Sequence, residues 1–109
     1  MVLKLFVDDT RDFPKAGYQC CRDSKTAIMF LGLMKFSFIT LDYSLSGGDN
    51  GMQILYWMKE NGVTVPAINI HSNNVEGRRI MQKFCEENFP TTKLTMNMLQ
   101  SDFFELILR

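Results

Sequence analysis

Two apolar runs in this chain end in carboxylates. "LKLFVDDTRD" at 3–12 reaches Asp8 and Asp9, and "FSFITLD" at 36–42 reaches Asp42; a third run, "PAINIH" at 66–71, ends at His71, the only histidine, with Ser72, Asn73 and Asn74 behind it. Three acids brought together repel one another at neutral pH and need a cation or shared protons. Hard oxygen ligands of this kind suit Mg²⁺, Mn²⁺ or Ca²⁺ better than zinc. The competing reading is that Asp8 or Asp9 caps a following turn and Asp42 merely starts a loop.

His71 has two chemical readings, general acid or base and metal ligand, set against that of a core histidine held by hydrogen bonds. Ser72 stands at a strand-to-helix junction, where its hydroxyl can donate to a phosphate oxygen beside the backbone N–H groups of the next helix. It can equally be the cap of that helix. Arg11, two residues past the acid pair, is an anion clamp or a surface partner of Asp12. The run Gly47-Gly48-Asp49-Asn50-Gly51 predicts a flexible loop or tight turns, with neither the P-loop nor the dinucleotide spacing. Arg78-Arg79 reads as a solvated helix face.

These residues need elements to hold them, and short β-like runs alternate with helical patterns along the chain. Strands are expected at 2–7, 18–22, 36–42, 66–71 and 93–99. Helices are expected from Ser24 to Lys35, capped by Asp23 or Ser24; from Met52 to Glu60, closed by Asn61-Gly62; from Asn73 or Asn74 up to Pro90; and over "SDFFELILR" at 101–109. The near-continuous apolar character of "FSFITL" fits a strand covered on both faces. Such alternation predicts an α/β fold with a parallel sheet and helices on both faces. The first connection, "DTRDFPKAG", is too short for a crossover helix and should be a loop over the C-terminal edge of the sheet. Ligands of open parallel sheets bind at that edge, where the acids and His71 converge.

The length of 109 residues fits one domain over 1–109. Twelve basic and twelve acidic residues give a formal net charge of zero, so no global basic field recruits nucleic acid or an anionic membrane. The N-terminus reaches acids at residue 8 without a long apolar stretch, which excludes a signal peptide or span there and makes a cytoplasmic location the expectation. Cys20, Cys21 and Cys85 lack a metal-ligand spacing and read as buried small hydrophobes, the adjacent pair pointing to opposite faces. The eight methionines read as core filler.

An acid pair after strand one, an aspartate after strand three and a hydroxyl after strand four resemble the receiver domain of response regulators, with Asp8, Asp9, Asp42 and Ser72 at the matching positions. A receiver also has a lysine followed by proline late in strand five, whereas "KLTMNML" places Lys93 first and Asn97-Met98 near its end. "LFVDDTRDFP", "GYQCCRDSKTAI", "ITLDYSLSGGDNG" and "IHSNNVEG" more closely resemble the cyclic-phosphate processing receiver domains, over about residues 3–88.

The resemblance implies a flavodoxin/receiver-like sheet of order 2-1-3-4-5 with the first crossover helix reduced to a loop. It also implies a metal-dependent phosphodiesterase acting on a cyclic phosphate or cyclic nucleotide. Asp8, Asp9 and Asp42 become ligands of Mg²⁺ or Mn²⁺, with His71 and Asp42 catalytic and Arg11, Ser72 and Asn74 contacting substrate. Ser44 stands where that group tends to have a further acid. The alternatives are a non-catalytic module binding a nucleotide or protein partner, and a degenerate phosphoacceptor. The expected partner is a small cyclic phosphate or nucleotide, with no membrane and no extended nucleic-acid surface.

Overall fold

A computed structural model describes residues 3–11 and 17–96. Five strands, β1 (Lys4–Val7), β2 (Tyr18–Cys21), β3 (Phe38–Leu41), β4 (Ala67–Ile70) and β5 (Lys93–Met96), form one sheet of order β2-β1-β3-β4-β5. Every neighbouring pair is parallel. Three α-helices are described, α1 (Ser24–Leu33), α2 (Met52–Glu60) and α3 (Val75–Asn88). The α/β class and strand order expected from the sequence are what the chain adopts. No helix lies between β1 and β2 among the described residues; residues 12–16 of that link, the last part of the expected fifth strand and the helix expected at 101–109 lie outside them. No described helix is long and apolar enough to cross a membrane.

The two-residue period of a strand sorts its side chains between the faces of the sheet. Leu5, Val7, Ile39, Leu41, Ile68 and Ile70 pack on one face with Ala27 and Leu31 of α1, Ile54, Leu55 and Met58 of α2, and Met81 and Cys85 of α3. Each fully buried aliphatic side chain there contributes about 1.5–3 kcal/mol. Phe6, Phe38 and Ala67 form the other face, with Tyr18 and Cys20 against them. Cys20 and Cys21 therefore do point to opposite faces. Thr40 and Asn69 lie on the Phe6 side and are fully buried polar residues inside strands.

Local chemistry ends the helices as anticipated. Asp23 accepts from Thr26 N at 2.7 Å to cap α1, and Asn74 accepts from Gly77 N at 2.8 Å to cap α3. Gly62 closes α2 at φ 65°, a left-handed conformation that favours glycine. A distant residue also holds α1: the Asp49 carboxylate accepts from Ser24 N and from Ser24 Oγ, both at 2.7 Å. The glycine-rich loop is thereby tied to a helix start rather than left loose.

The register places the site. Val7 pairs with Leu41, and Leu41 with Ile70. The next residue on each strand is Asp8, Asp42 and His71, so three polar side chains emerge in a row. Backbone bonds hold the row, Asp42 N donating to Val7 O at 3.0 Å and His71 N to Leu41 O at 2.9 Å.

Tyr43, directly after Asp42, lays its ring on α3 at Gly77, where any Cβ would overlap ring carbons. Gly77→Ala should therefore cost about 1–3 kcal/mol through overpacking. Urea denaturation should show a lower midpoint with an unchanged slope. An unchanged midpoint would contradict the close approach.

Candidate functional site

Asp8, Asp42 and His71 are all buried, and one ligand atom from each lies within 4.8 Å of the other two. Asp8 Oδ1 is held locally, accepting from Thr10 N at 2.9 Å, Arg11 N at 2.9 Å and Thr10 Oγ1 at 3.2 Å. Its Oδ2 faces His71 Nε2 at 3.1 Å and Arg11 Nε at 3.5 Å. The His71 ring stacks on Phe6, centroids 5.0 Å apart and planes 4° from parallel. Phe6 is two residues before Asp8 and so lies on the same face, one layer deeper.

The two carboxylates differ electrically. Burial pushes the Asp8 carboxyl up, but hydrogen bonds from the Thr10 and Arg11 backbones and the attraction of His71 and Arg11 outweigh it, and its pKa falls below the ordinary 3.8. Burial also raises Asp42; the Ser72 hydroxyl opposes this, the Asp8 charge adds to it, and the balance stays above 3.8. Asp42 is thus the acid whose negative charge the protein leaves under-compensated. His71 is pushed down to about 4 by burial, against the pull of Asp8, and is a neutral imidazole at pH 7.

An ionised carboxylate only accepts hydrogen bonds, so the Nε2 atom facing Asp8 carries the ring's proton. Nδ1, 2.7 Å from Thr40 Oγ1, is then the acceptor. Two carboxylates and an imidazole at this separation fit a hard divalent cation, the oxygens being the atoms that offer lone pairs in this protonation state.

The remaining sequence candidates are placed unevenly. Asp9 turns its Oδ2 to Ser46 Oγ at 2.7 Å and is not one of the clustered three. Arg11 borders the cluster, its Nε facing Asp8 and its side chain 47% exposed. Ser72 Oγ donates to the Asp42 carboxylate and accepts from Asn74 N at 3.1 Å. Asn74, expected at substrate, is occupied as the α3 cap. Ser44 is exposed and bridges to Asn50. Lys93 opens β5, at the end away from the acids.

Arg79 is solvated and pairs with Glu76, as expected. Arg78 departs from the solvated-face reading: its Nη1 donates to Ser72 O at 2.7 Å, because the first turn of α3 lies over the end of β4.

Sequence reasoning passed over Thr40, Asn69 and Thr95. Asn69 Nδ2 donates to Thr40 Oγ1 at 3.0 Å, and Thr95 Oγ1 donates to Asn69 Oδ1 at 2.8 Å. The signal was present, since Thr40 and Asn69 are polar residues two positions before Asp42 and His71 in otherwise apolar strands. Arg22 was also missed; its Nη1 donates to Asp8 O at 3.1 Å and Arg11 O at 2.6 Å, holding the turn that follows β1. An open groove lined by Leu31, Phe36, Val63, Pro66 and Thr92 flanks the N-terminal ends of the strands, opposite the acids.

Among known proteins, a family described as the "Cyclic-phosphate processing Receiver domain" matches residues 3–87, a span holding all the clustered residues. No curated protein matches the chain.

The unfolded imidazole takes its proton near 6.5 and the folded one near 4, so between those values protonation favours the unfolded chain. Stability should fall as pH drops from 7 to 5, by on the order of 1 kcal/mol. Proton uptake by Asp42 offsets part of this at the acid end, and Asp8 adds a loss below 3.8. NMR titration of the sole histidine in EDTA should give a midpoint near 4; a midpoint near 6.5 would contradict the buried geometry.

Proposed function

The chain belongs to the cyclic-phosphate processing receiver domains, and from that premise we propose that it hydrolyses a cyclic phosphodiester at the row formed by Asp8, Asp42 and His71. The observation that carries the reading is the burial of two carboxylates and the sole histidine at one sheet edge, with a ligand atom of each within 4.8 Å of the other two.

Asp42 and Asp8 would hold a Mg²⁺ or Mn²⁺ ion, with Asp9, whose Oδ2 is bonded by Ser46, as a further candidate ligand. Such an ion, when bound, supplies Lewis-acid polarisation of the phosphoryl oxygens and a nucleophilic hydroxide from water. Arg11, half exposed beside Asp8, faces the approaching anion, and Ser72 keeps the Asp42 carboxylate oriented.

In the proposed reaction a water oxygen adds to phosphorus and one ring P–O ester bond breaks. The departing oxygen ends with the proton that the water releases, and the neutral His71 ring would relay it, accepting one proton before it gives one up. The product is a phosphomonoester with a free hydroxyl.

A second reading is a module that binds a nucleotide or a protein partner without turnover. Asp8 has both oxygens engaged and Ser44 supplies no further acid, and both features favour it.

Incubation with Mn²⁺ or Mg²⁺ and a panel of 2′,3′-cyclic and 3′,5′-cyclic nucleotides separates the two. Hydrolysis should be abolished by EDTA and lowered about 10²–10⁴-fold by His71→Gln. Absence of turnover together with tight binding by calorimetry establishes the module, and turnover unchanged in Asp42→Ala overturns the assigned site.

A further inference from the structure

The connections that leave β1 and β3 both hang on one short junction, the residues between β2 and α1. Arg22, directly after β2, donates from Nη1 to Asp8 O at 3.1 Å and to Arg11 O at 2.6 Å. Ser24, two residues on, donates from N and Oγ to the Asp49 carboxylate in the loop that follows β3. The two loops are joined to each other by Ser46 Oγ and Asp9 Oδ2 at 2.7 Å. Three hydrogen-bonded links thus close a ring among the three connections.

Within that ring Asp8 and Arg11 depend on Arg22 to different degrees. Asp8 follows the Val7–Cys21 pair, and its N donates to Cys21 O at 3.0 Å, so the sheet register places it. Arg11 lies three residues beyond the sheet. Its N–H is held by Asp8 Oδ1 at 2.9 Å, whereas its carbonyl is held, among the described residues, by Arg22 alone. The carbonyl oxygens of Asp8 and Arg11 converge on one guanidinium nitrogen, and two partial negative charges so placed repel each other without a donor between them. Arg22 is exposed, so these bonds shape the turn rather than the core.

We infer that Arg22 is a positioning residue that fixes the Arg11 peptide and so keeps the Arg11 guanidinium, 3.5 Å from Asp8 Oδ2, in place to meet the substrate phosphate. The inference rests on the reading of Arg11 as a phosphate contact of the proposed hydrolase. In this role Arg22 touches no phosphate and acts only through the Arg11 backbone. Because a single nitrogen makes both of its bonds, a lysine ammonium with three N–H donors can take its place.

A double-mutant cycle in the phosphodiesterase assay tests this. For the cyclic nucleotide turned over fastest, Arg11→Ala should raise KM about tenfold with kcat little changed, as for a contact made equally in the ground and transition states. Arg22→Met should raise KM by less, should add nothing further in the Arg11→Ala background, and Arg22→Lys should recover most of the wild-type value. In the protein without substrate, Arg22→Met should speed amide exchange at Thr10 and Arg11 about tenfold and leave Ile39 and Ile68 in the sheet unaltered. A general loss of stability would speed all four.

An Arg22→Met effect as large in Arg11→Ala as in the wild type overturns the inference, since Arg22 would then meet the substrate itself. An unchanged KM in Arg11→Ala, or unaltered exchange at Arg11 in Arg22→Met, overturns it as well. Should no cyclic nucleotide be turned over, the hydrolase fails, while the same cycle read as calorimetric dissociation constants, together with the exchange rates, still decides the role of Arg22. Absence of both turnover and binding overturns both, so the failures are told apart.

Discussion

Everything at this site depends on the parallel register of β1, β3 and β4. Once Val7, Leu41 and Ile70 stand side by side, the following residues of each strand must emerge together. The strands below them are wholly apolar on the helix-covered face, so slipping the register would send isoleucine and leucine side chains to the wrong side. The core thus fixes the distance between two acids and an imidazole without any of the three contributing to that core. The same register repeats one layer down as Phe6, Thr40, Asn69 and Thr95, which supply the stacking surface and the hydrogen bonds that hold the ring.

Enforced proximity creates an electrical asymmetry. Asp8 is surrounded by donors, from the Thr10 and Arg11 backbones to His71, and stays ionised despite burial. Asp42 has fewer donors and sits near the charge of Asp8, and the attraction of Arg11 does not outweigh burial and that repulsion. A bound cation would relieve that deficit, and the balance around Asp42, beside the close approach of Asp8, supports the proposed metal-dependent reading. Near the same edge, the loop from Ser44 to Asn50 is pinned by the Asp49–Ser24 and Ser46–Asp9 bonds.

Much of this was legible in the sequence, for a definite reason. An apolar run that stops at an acid or a histidine marks where a buried strand leaves the sheet, and in parallel strands those exits share one edge. Asp8, Asp42 and His71 were readable on that logic, as were the caps at Asp23 and Asn74. Asp9 stands apart from that row: two adjacent acids at a strand exit look equivalent in sequence, but alternation sends one toward the row, and Ser46, 37 positions away, bonds to the other. The reach of Arg78 back to Ser72 and the grip of Asp49 on Ser24 are equally long-range and leave no local trace. Thr40 and Asn69 were legible in principle, since a polar residue two positions before a candidate site lies beneath it.

In the proposed site the carboxylates of Asp8 and Asp42 together would hold a cation at the edge of the sheet. Anomalous diffraction from crystals soaked in Mn²⁺ tests this most directly. The account predicts a manganese peak against the carboxylates of Asp42 and Asp8. At saturating metal, a peak elsewhere with this position empty, or none at all, would contradict it.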